Sequence, residues 1–568
     1  MPEIYYVQRG NRKYAYRSTS VYEPGSKYPK TVNEYIGILD EESGKIIPKK
    51  NRARTDSFLS DEDITGKRFG GSHMLKSISE RIGLREDLFY CFGPEGDRIL
   101  ACAVAQALSG GPFSSVEDTV DGCLIGEMLG LEGRFSSPRL SEFTKFLGES
   151  LGSLENLFER RLARAEGTLT FDLTSVSSHS RMREWAEWGY NRDKEKMKQL
   201  NFGLVTDKSG IPVMFELYPG SIPDLRTLER TVERVGELKE GDCSLIMDRG
   251  FGSASNLKYL LEKEVSFVIP GKKATRCVKA LLSRLVKEKH HADSLRLHDE
   301  HTYSVLESEV AIVPRAEPET EDEDSNDTAE YELILPEDPR FADAPENMRM
   351  KAYACYDRQK AAEDADTVYK AILDIEKRLS ETNPYTAVKE AKRLAGPYAK
   401  YFDLSVDGEG KLRIERRKNA MSFSMNRNGM FVMFCKGIED WEDMMSCYDC
   451  RTYVEQAFDV MKNELDGNRF RTKDPQTAKG RLLIKFVALI LWCTMAKELR
   501  DSRHGEPVRT VLQSMDNILA IGKKGEWRVL EITKRNRRFM DDLKVPHPPK
   551  TLVLKPYTYI PESALADS

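Results

Sequence analysis

TLTFDLTSV, residues 168–176, alternates polar and apolar side chains in the pattern of a half-buried β-strand. Successive side chains of a strand point to opposite faces, so Phe171 and Leu173 share one face and Asp172 lies on the other. The stretch therefore predicts a strand that carries a carboxylate on its polar face.

The residues that follow this strand predict a sheet covered by helices. FGLVTDKSGIPVMFELYPG (202–220) predicts a hairpin with its turn at 207–210. A helix is expected at 225–238, and short apolar strands are expected in CSLIMDRGF (243–251) and VSFVIPGKK (265–273). The order strand, hairpin, helix, strand, helix, strand implies an α/β fold, a mixed sheet with flanking helices.

Length and composition are those of a large globular protein. The chain has 568 residues, too many for one ordinary domain, and its 40% hydrophobic and 32% charged residues are enough for buried cores. The net charge of −5 argues mildly against nucleic-acid binding, although basic clusters occur locally. Ten cysteines are too few for a disulfide scaffold, and the polar, tyrosine-rich opening does not resemble a secretory signal. We therefore expect a reduced, cytoplasmic protein.

The most apolar stretch of the chain is LLIKFVALILWCTM, residues 482–495. It is shorter than the roughly 20 residues that span a bilayer, and it contains Lys485. A buried core helix is the better interpretation, and no membrane partner is expected.

Two aspartates stand where a strand can present a carboxylate to an open cleft. Asp172 lies on the first strand, and Asp248 ends an apolar strand just before Arg249-Gly250. Each of them could equally be a helix cap or a turn residue, which is a common use of aspartate.

A third acid, Glu455, belongs to a stripe of polar residues. Tyr448, Arg451, Glu455 and Lys462 are spaced so that they fall within roughly 60° on one face of an α-helix. The ordinary alternative is a solvated face with ion pairs between helix neighbours.

Taken together, these residues resemble a family. Tyr448-x2-Arg451-x3-Glu455-x6-Lys462 matches the YREK signature of a group of bacterial insertion-sequence transposases of the DDE type. TFDLTSV and LIMDRGF are similar to the strands that carry the two aspartates of that family, and NGMFVMFC (428–435) is similar to the strand before the signature helix. The resemblance covers about 168–275 and 425–500.

The resemblance implies a ribonuclease-H-like catalytic core interrupted by an α+β insertion domain, which residues 249–454 are long enough to contain. The expected regions follow from this layout and from the changes of pattern along the chain. They are a β-rich region (1–70), a helical, possibly DNA-end-binding region (71–166), the first part of the core (167–275), the insertion (276–430), the second part of the core (431–510) and a C-terminal region (511–568).

The family's chemistry assigns roles to the signature residues. Two divalent ions about 3.5–4 Å apart can activate the attacking oxygen and neutralise the leaving one. Oxygen ligands suit Mg²⁺, with Mn²⁺ as a substitute, so Asp172, Asp248 and Glu455 are the expected metal ligands and catalytic residues. The expected phosphate-binding residues are Tyr448, Arg451, Lys462 and Arg249.

The resemblance also implies partners. A member of this family binds the terminal inverted repeats of its own element and target DNA, as a homodimer or larger assembly, in the cytoplasm of a bacterium or archaeon. Two alternatives stay open: a related ribonuclease-H-like nuclease, and a DNA-binding protein of transposase descent that no longer catalyses. Relatives that excise through a DNA hairpin use an aromatic wedge, often tryptophan, and residues 276–430 contain none.

Other patterns favour less specific interpretations. Cys447-x2-Cys450 lacks the second pair that a zinc site needs. The histidines at 290, 291, 298 and 301 read as a solvated charged segment, the last two at helical spacing. Asp459, one turn beyond Glu455, is the main rival as third ligand.

Three further groups could contact DNA but are more often packing or surface residues. Trp185 and Trp188 could stack on bases. Basic clusters could bind phosphates at 49–54 (Lys49, Lys50, Arg52, Arg54) and at 534–538. The acidic stretch 317–330 reads as a flexible loop.

Overall fold

The structure is a computed structural model and describes most of the chain. The described residues are 3–9, 12–21, 30–39, 46–48, 64–131, 135–165, 167–178, 199–219, 224–238, 244–315, 330–467, 469–470, 472, 474–502, 505–523 and 525–554. Trp185, Trp188, the basic cluster at 49–54 and the acidic stretch at 317–329 lie outside them. The chain divides into two compact units: Met1–Gly66 with Ile521–Trp527, and Lys67–Ala520 with Arg528–Ser568.

An antiparallel sheet forms most of the described part of the first unit. Its four strands follow one another in order: β1 (Glu3–Arg9), β2 (Arg12–Val21), β3 (Lys30–Leu39) and β4 (Ile46–Pro48). Tyrosine rings pair across the strands, with centroids 5.6 Å apart for Tyr5 and Tyr16 and 5.5 Å apart for Tyr16 and Tyr35. Cross-strand aromatic pairs each contribute about 0.2–1 kcal/mol, which accounts for the tyrosine-rich opening of the chain.

Helices dominate the segment that the sequence predicts to be helical. They follow the strand β5 (Thr65–Arg68) and are α1 (Gly70–Arg81), α2 (Leu84–Phe92), α3 (Glu95–Ser109), α4 (Val116–Gly122), α5 (Ile125–Met128), α6 (Ser137–Glu149) and α7 (Leu151–Ala163). Asp87 on α2 is fully buried and forms ion pairs with Arg160 and Arg161 of α7 and with Arg164. One carboxylate thus joins α2 to the end of α7.

The sheet predicted around Asp172 is present. It contains β6 (Leu169–Ser178), β7 (Gln199–Thr206), β8 (Pro212–Pro219), β9 (Ser244–Met247) and β10 (Ser266–Pro270), with α8 (Asp224–Leu238) and α9 (Ala254–Glu262) in the connections. The spatial order is β8-β7-β6-β9-β10; the first three strands are antiparallel, and β6, β9 and β10 are parallel. A mixed sheet of this order and direction is what a ribonuclease-H-like core requires, so the predicted fold class is confirmed.

The sheet continues beyond β10 into the segment that the sequence assigns to an insertion. Beyond β10 the added strands follow in the spatial order β17 (Met430–Lys436), β14 (Arg349–Asp357), β12 (His301–Pro314) and β11 (Leu295–His298). Strand β13 (Tyr331–Ile334) also pairs with β12. Because Phe267, Val268 and Ile269 of β10 are all fully buried, the outer edge of β10 needs a partner, and β17 provides it. Helix α10 (Arg276–Glu288) lies between β10 and these added strands in the sequence.

The rest of the insertion has a small core of its own. Its elements are α11 (Arg358–Ser380), α12 (Val388–Ala395), β15 (Phe402–Val406), β16 (Leu412–Arg416) and α13 (Lys418–Met425). Ile372, Leu379, Tyr401 and Phe402 are among the buried residues of this core. The insertion therefore combines an extension of the central sheet with a separate helical and hairpin part.

The single α-helix on which the sequence places Tyr448, Arg451, Glu455 and Lys462 is divided in the structure, so that expectation is wrong in detail. It consists of α14 (Trp441–Asp449), α15 (Arg451–Asp459) and a π-helical turn, Val460–Glu464. At the junction, Tyr453 N–H donates to the carbonyl of Cys450 with the tighter i to i+3 spacing. Beyond Leu465 the chain turns at Asp466, whose φ is +50°, so the helix cannot continue.

The apolar helix predicted at 482–495 is a buried core helix within α16 (Pro475–Asp501). Its Phe486 ring lies 5.0 Å from the ring of Phe215 on β8 and 5.7 Å from that of Phe158 on α7. The remaining elements are β18 (Arg469–Phe470), which pairs with β6, α17 (Val508–Asp516), β19 (Leu519–Lys523), β20 (Glu526–Val529), α18 (Lys534–Asp542) and β21 (Thr551–Val553).

Among the described helices, no single one is both long and apolar enough to cross a membrane. By length and composition alone, one bent pair does pass the test, Glu95–Ser109 with Phe113–Gly122, at an angle of 111°.

Candidate active site

Asp172 and Asp248 lie side by side on neighbouring parallel strands. The register pairs Phe171 of β6 with Met247 of β9, and the next residue on each strand is the aspartate. Asp248 keeps an extended backbone, with φ −72° and ψ 160°, so the neighbouring positions remain adjacent at the strand spacing of about 4.8 Å. The two carboxylates predicted from the sequence are therefore brought together at one edge of the core.

Local hydrogen bonds fix both aspartates. Asp172 is 5% exposed, and its Oδ1 accepts the backbone N–H of Leu173 at 2.8 Å. Asp248 Oδ1 accepts the N–H of Arg249 at 2.6 Å and so caps the short 3₁₀ turn Arg249–Phe251. The capping role that the sequence left open for Asp248 is thus real.

Glu455 joins this pair through Arg451. The Arg451 guanidinium lies 3.2 Å from Asp248 Oδ1 and 2.6 Å from Glu455 Oε1, and its other terminal nitrogen donates to the Tyr448 hydroxyl at 3.0 Å. Half of the Glu455 side chain is exposed, whereas Asp248 and Arg451 are about one quarter exposed. One arginine therefore holds a strand carboxylate and a helix carboxylate at the same time.

The surroundings of Arg451 favour its charged form. Burial alone would lower the pKa of Arg451, but Tyr448, Asp248 and Glu455 together raise it above its ordinary value. Burial raises the pKa of the Tyr448 hydroxyl, and the neighbouring Arg451 only partly opposes this. Tyr448 consequently stays neutral near pH 7 and keeps its proton for a hydrogen bond.

Apolar packing of α15 sets the direction in which Glu455 points. Val454, Ala457 and Phe458 are buried, and the Phe458 ring lies 6.1 Å from that of Phe202 on β7. Because Glu455 lies outside this packed face, its carboxylate points away from the core and meets Arg451.

The two other predicted phosphate contacts are less closely joined to the acids. Lys462 lies in the π-helical turn Val460–Glu464, so the constant helical spacing assumed from the sequence does not extend to it. Arg249 is exposed on the 3₁₀ turn directly after Asp248. In the described part of the chain, neither side chain forms an ion pair with an acid, and both positive charges remain available to an anion.

A cleft of about 620 Å³ opens beside Asp248 and reaches into the insertion. Its basic residues are Arg249, Lys273, Lys360 and Arg451, and its acidic residues are Asp248, Asp357, Asp364 and Asp449. Burial lowers the pKa of Lys273, and the positive charges of Arg249 and Lys360 add to this effect. The cleft therefore carries both signs of charge, with Arg249, Lys273 and Lys360 close enough together to affect the pKa of Lys273, which Asp364 partly restores.

Lys273 and Lys360 were missed by the sequence analysis. Lys273 follows β10 directly in the GKK end of VSFVIPGKK, a signal that could have been used because strand ends in such sheets border the cleft. Lys360 lies in the first turn of α11, far away in sequence, and no local pattern marks it.

The donor set fits hard divalent ions, because all three acids offer carboxylate oxygens. Among the residues that the structure describes, however, no three His, Cys, Asp or Glu side chains are close enough to hold one metal ion. The convergence predicted for Asp172, Asp248 and Glu455 is therefore partial: Asp172 and Asp248 are neighbours, and Arg451 stands between Asp248 and Glu455.

Several other predicted candidates have ordinary structural roles. His298 and His301 are not on a helix: they pair across the turn between β11 and β12, where Asp299 and Glu300 adopt positive φ angles. His298 binds the carboxylate of Asp449 at 2.6 Å.

Cys447 and Cys450 lie at the junction of α14 and α15 and are free thiols. Asp459, the rival third ligand, accepts a hydrogen bond from Asn463 at 2.6 Å. In the basic group at 534–538, Arg535 forms an ion pair with Glu506.

Comparisons with known proteins add independent information. A family model described as "Transposase DDE domain" matches residues 163–491, more than half of the chain. A solved structure of the piggyBac transposase synaptic complex with hairpin DNA is similar at a TM-score of 0.34 and 10% identity, over 81% of this chain and 78% of that chain. No curated protein matches the chain.

Proposed function

Because the chain belongs to the DDE transposase family, it is an enzyme of DNA transposition, and we propose that it acts on the terminal repeats of its own insertion sequence. It cleaves phosphodiester bonds at the repeat boundaries and joins the resulting 3′ ends to target DNA. The YREK spacing from Tyr448 to Lys462 supports the assignment to the insertion-sequence group.

One observation carries the proposal: Asp172 on β6 adjoins Asp248, which directly follows the neighbouring strand β9, and Arg451 links Asp248 to Glu455. Two of the acids adjoin in the sheet, and the third, from a distant part of the chain, is joined to Asp248 through Arg451. Asp172, Asp248 and Glu455 are therefore the proposed metal ligands. When bound, two Mg²⁺ or Mn²⁺ ions supply charge neutralisation and activation of the attacking oxygen.

The remaining signature residues position the DNA strand. Arg451 has two terminal guanidinium nitrogens that can form paired hydrogen bonds to a phosphate, and Tyr448 can donate one more. Arg249 and Lys462 add positive charge on the two sides of the acids. Arg451, which contacts both Asp248 and Glu455, would hold the phosphate next to the scissile bond close to these carboxylates.

The proposed partners are the two ends of the element and a target duplex. Two ends have to be processed together, so the proposed active form contains at least two copies of the chain. Three cations that line the cleft beside Asp248, Arg249, Lys273 and Lys360, support a path for one DNA strand past this aspartate.

Strand cleavage on linear DNA that carries the element's terminal repeats tests this proposal. The full chain is assayed with Mg²⁺ and with EDTA, and wild type is compared with Asp248→Asn, which keeps the shape of the side chain and removes its charge. We expect nicks at the repeat boundary that require Mg²⁺ and disappear in the variant.

Asp449→Asn is the matched control, since Asp449 lines the same cleft but pairs with His298. It should retain cleavage. Equal binding of the repeats by wild type and Asp248→Asn, with no cleavage by either, would refute the catalytic proposal and leave a DNA-binding protein.

A further inference from the structure

A second pocket is lined in part by the chain that follows the helix of Glu455. It encloses about 210 Å³ between the 3₁₀ turn Phe113–Ser115, α6, α16 and the segment that follows α15. Ser114, Ser137 and Ser141 are among its lining residues, together with Arg481 and Lys485. Hydroxyl groups and cations thus share a small enclosed space.

Arg481 is the unusual residue of this pocket. Its guanidinium stacks on the ring of Phe113 at 4.9 Å, and its Nε is buried without a hydrogen-bond partner in the part of the chain that the structure describes. Burial lowers the pKa of Arg481, and no acidic neighbour offsets the effect. A partly buried arginine without a counter-charge is costly, unless an anion occupies the pocket.

Two more polar groups support an anionic occupant. Thr472 is 6% exposed, lines the pocket, and its hydroxyl has no hydrogen-bond partner among the described residues. Lys485 is 7% exposed and brings a second positive charge, although its ammonium already donates to the carbonyls of Leu465 and Asp466. Asp466 is the acidic residue of the lining, and it does not raise the pKa of Arg481.

The walls of the pocket are fixed by close helix packing. A Cβ added to Gly480 would lie 1.8 Å from the carbonyl oxygen of Thr144, and one added to Gly148 would lie 1.9 Å from that of Gln476. The backbones of α6 and α16 therefore touch at two glycines. Arg481 follows one of these glycines, so its position is set before any ligand binds.

We propose that this pocket binds one phosphate group, held by Arg481 with the hydroxyl of Thr472 and the serines of α6. A phosphate accepts paired hydrogen bonds from a guanidinium and further bonds from hydroxyls, which matches the donors present. The phosphate is either a backbone phosphate of bound DNA or a free phosphate monoester. The first source rests on the proposed function and is supported by the sequence around Thr472, where Arg469, Arg471 and Lys473 add basic residues.

Titration of the full chain with inorganic phosphate tests the site without any cleavage. Wild type is compared with Arg481→Met and Arg481→Lys by calorimetry and by thermal unfolding, with chloride at equal ionic strength as the reference. We expect saturable binding that raises the Tm of wild type, is lost in Arg481→Met and is weakened in Arg481→Lys. Arg413→Met, which removes an exposed arginine of β16, should bind phosphate as wild type does.

Binding of terminal-repeat DNA in EDTA separates the two sources. If the occupant is a DNA phosphate, Arg481→Met reduces the slope of log Kd against log salt by about one, the value for one phosphate contact. If phosphate binding is lost but the DNA slope is unchanged, the occupant is a free phosphate monoester.

The proposal is overturned if Arg481→Met, folded by circular dichroism, binds phosphate and DNA as wild type does. Thr472→Val serves as a second variant should Arg481→Met fail to fold, and unchanged phosphate affinity in Thr472→Val would then overturn it. None of these measurements depends on strand cleavage. A negative result for the phosphate site can therefore be told apart from a negative result for the catalytic proposal.

Discussion

The sequence and the structure give Arg451 different partners. The sequence indicates a residue that grips phosphate, whereas the structure has its guanidinium between Asp248 and Glu455. Both roles follow from one property, a fixed positive charge in a planar fork. In this structure the Arg451 guanidinium pairs with the carboxylates of Asp248 and Glu455, so it would compete with a metal ion for these ligands.

Replacing Arg451 by methionine should therefore have opposite effects on metal binding and on cleavage. The two pairs at this partly exposed site are together worth roughly 1 kcal/mol, so Mn²⁺ affinity in the absence of DNA should rise by about fivefold. Cleavage should fall by about 100-fold, because a donor to the reacting phosphate is lost. Electron paramagnetic resonance of bound Mn²⁺ and single-turnover cleavage measure the two effects.

Arg249→Met is the control, because Arg249 is exposed next to Asp248 and pairs with no acid in the described chain. It should leave Mn²⁺ affinity unchanged. An Arg451→Met variant that binds Mn²⁺ no more tightly than wild type would show that Arg451 does not compete with metal ions for the carboxylates.

Among the elements, the strands of the core could be predicted because their signals are local. The alternation in TLTFDLTSV and the short apolar runs before Asp248 and Lys273 each mark a strand, and β6, β9 and β10 lie there. The junction at Cys450 and the π-helical turn after Asp459 could not be predicted, since both are shifts of one residue in hydrogen bonding. The helical spacing suggested for His298 and His301 was wrong, because residues three apart also face each other across a tight hairpin.

The stability of the protein should depend strongly on the buried carboxylate of Asp87, which joins α2 to α7. Asp87→Asn removes the charge that Arg160, Arg161 and Arg164 share and leaves Arg161, which is nearly buried, without its counter-charge. Removing one partner of a buried ion pair costs about 3–5 kcal/mol, so the urea midpoint should fall by an amount that corresponds to this loss.

Glu86→Gln is the matched comparison, because Glu86 is a partly exposed neighbour of Asp87 whose carboxylate lies 3.5 Å from Arg164. Its effect should stay below about 1 kcal/mol. Equal effects of the two substitutions would mean that Asp87 is not the centre of the joint.

In the molecule as a whole, the sequence predicted the core better than the way in which the insertion joins it. Strand β17 covers the edge of β10, and β14 and β12 extend the sheet, although long segments separate these strands in the chain. Such pairings depend on which edges remain open after the core has formed, and no local pattern encodes that choice. For the same reason the contribution of Lys360 to the cleft beside Asp248 was not foreseen.

This joining of core and insertion predicts that the insertion helps to bind DNA. The double variant Lys273→Met, Lys360→Met removes two cations of the cleft and should reduce the salt slope of binding to terminal-repeat DNA by about two. The slope is measured by fluorescence anisotropy in EDTA. Lys370→Met, at a strongly exposed position of α11, is the control and should keep the wild-type slope. A double variant with an unchanged slope would place the DNA elsewhere.

The central claim is that Asp248 touches a metal ion during strand cleavage, and Asp248→Cys tests it most directly. A thiolate is a poor ligand for Mg²⁺ and a better one for the softer Mn²⁺. Cleavage of terminal-repeat DNA is measured in each metal, after DNA binding by the variant has been verified. The account predicts that Asp248→Cys is inactive with Mg²⁺ and recovers cleavage with Mn²⁺, while Asp248→Asn stays inactive in both. Full activity of Asp248→Cys with Mg²⁺, or no recovery with Mn²⁺, would contradict it.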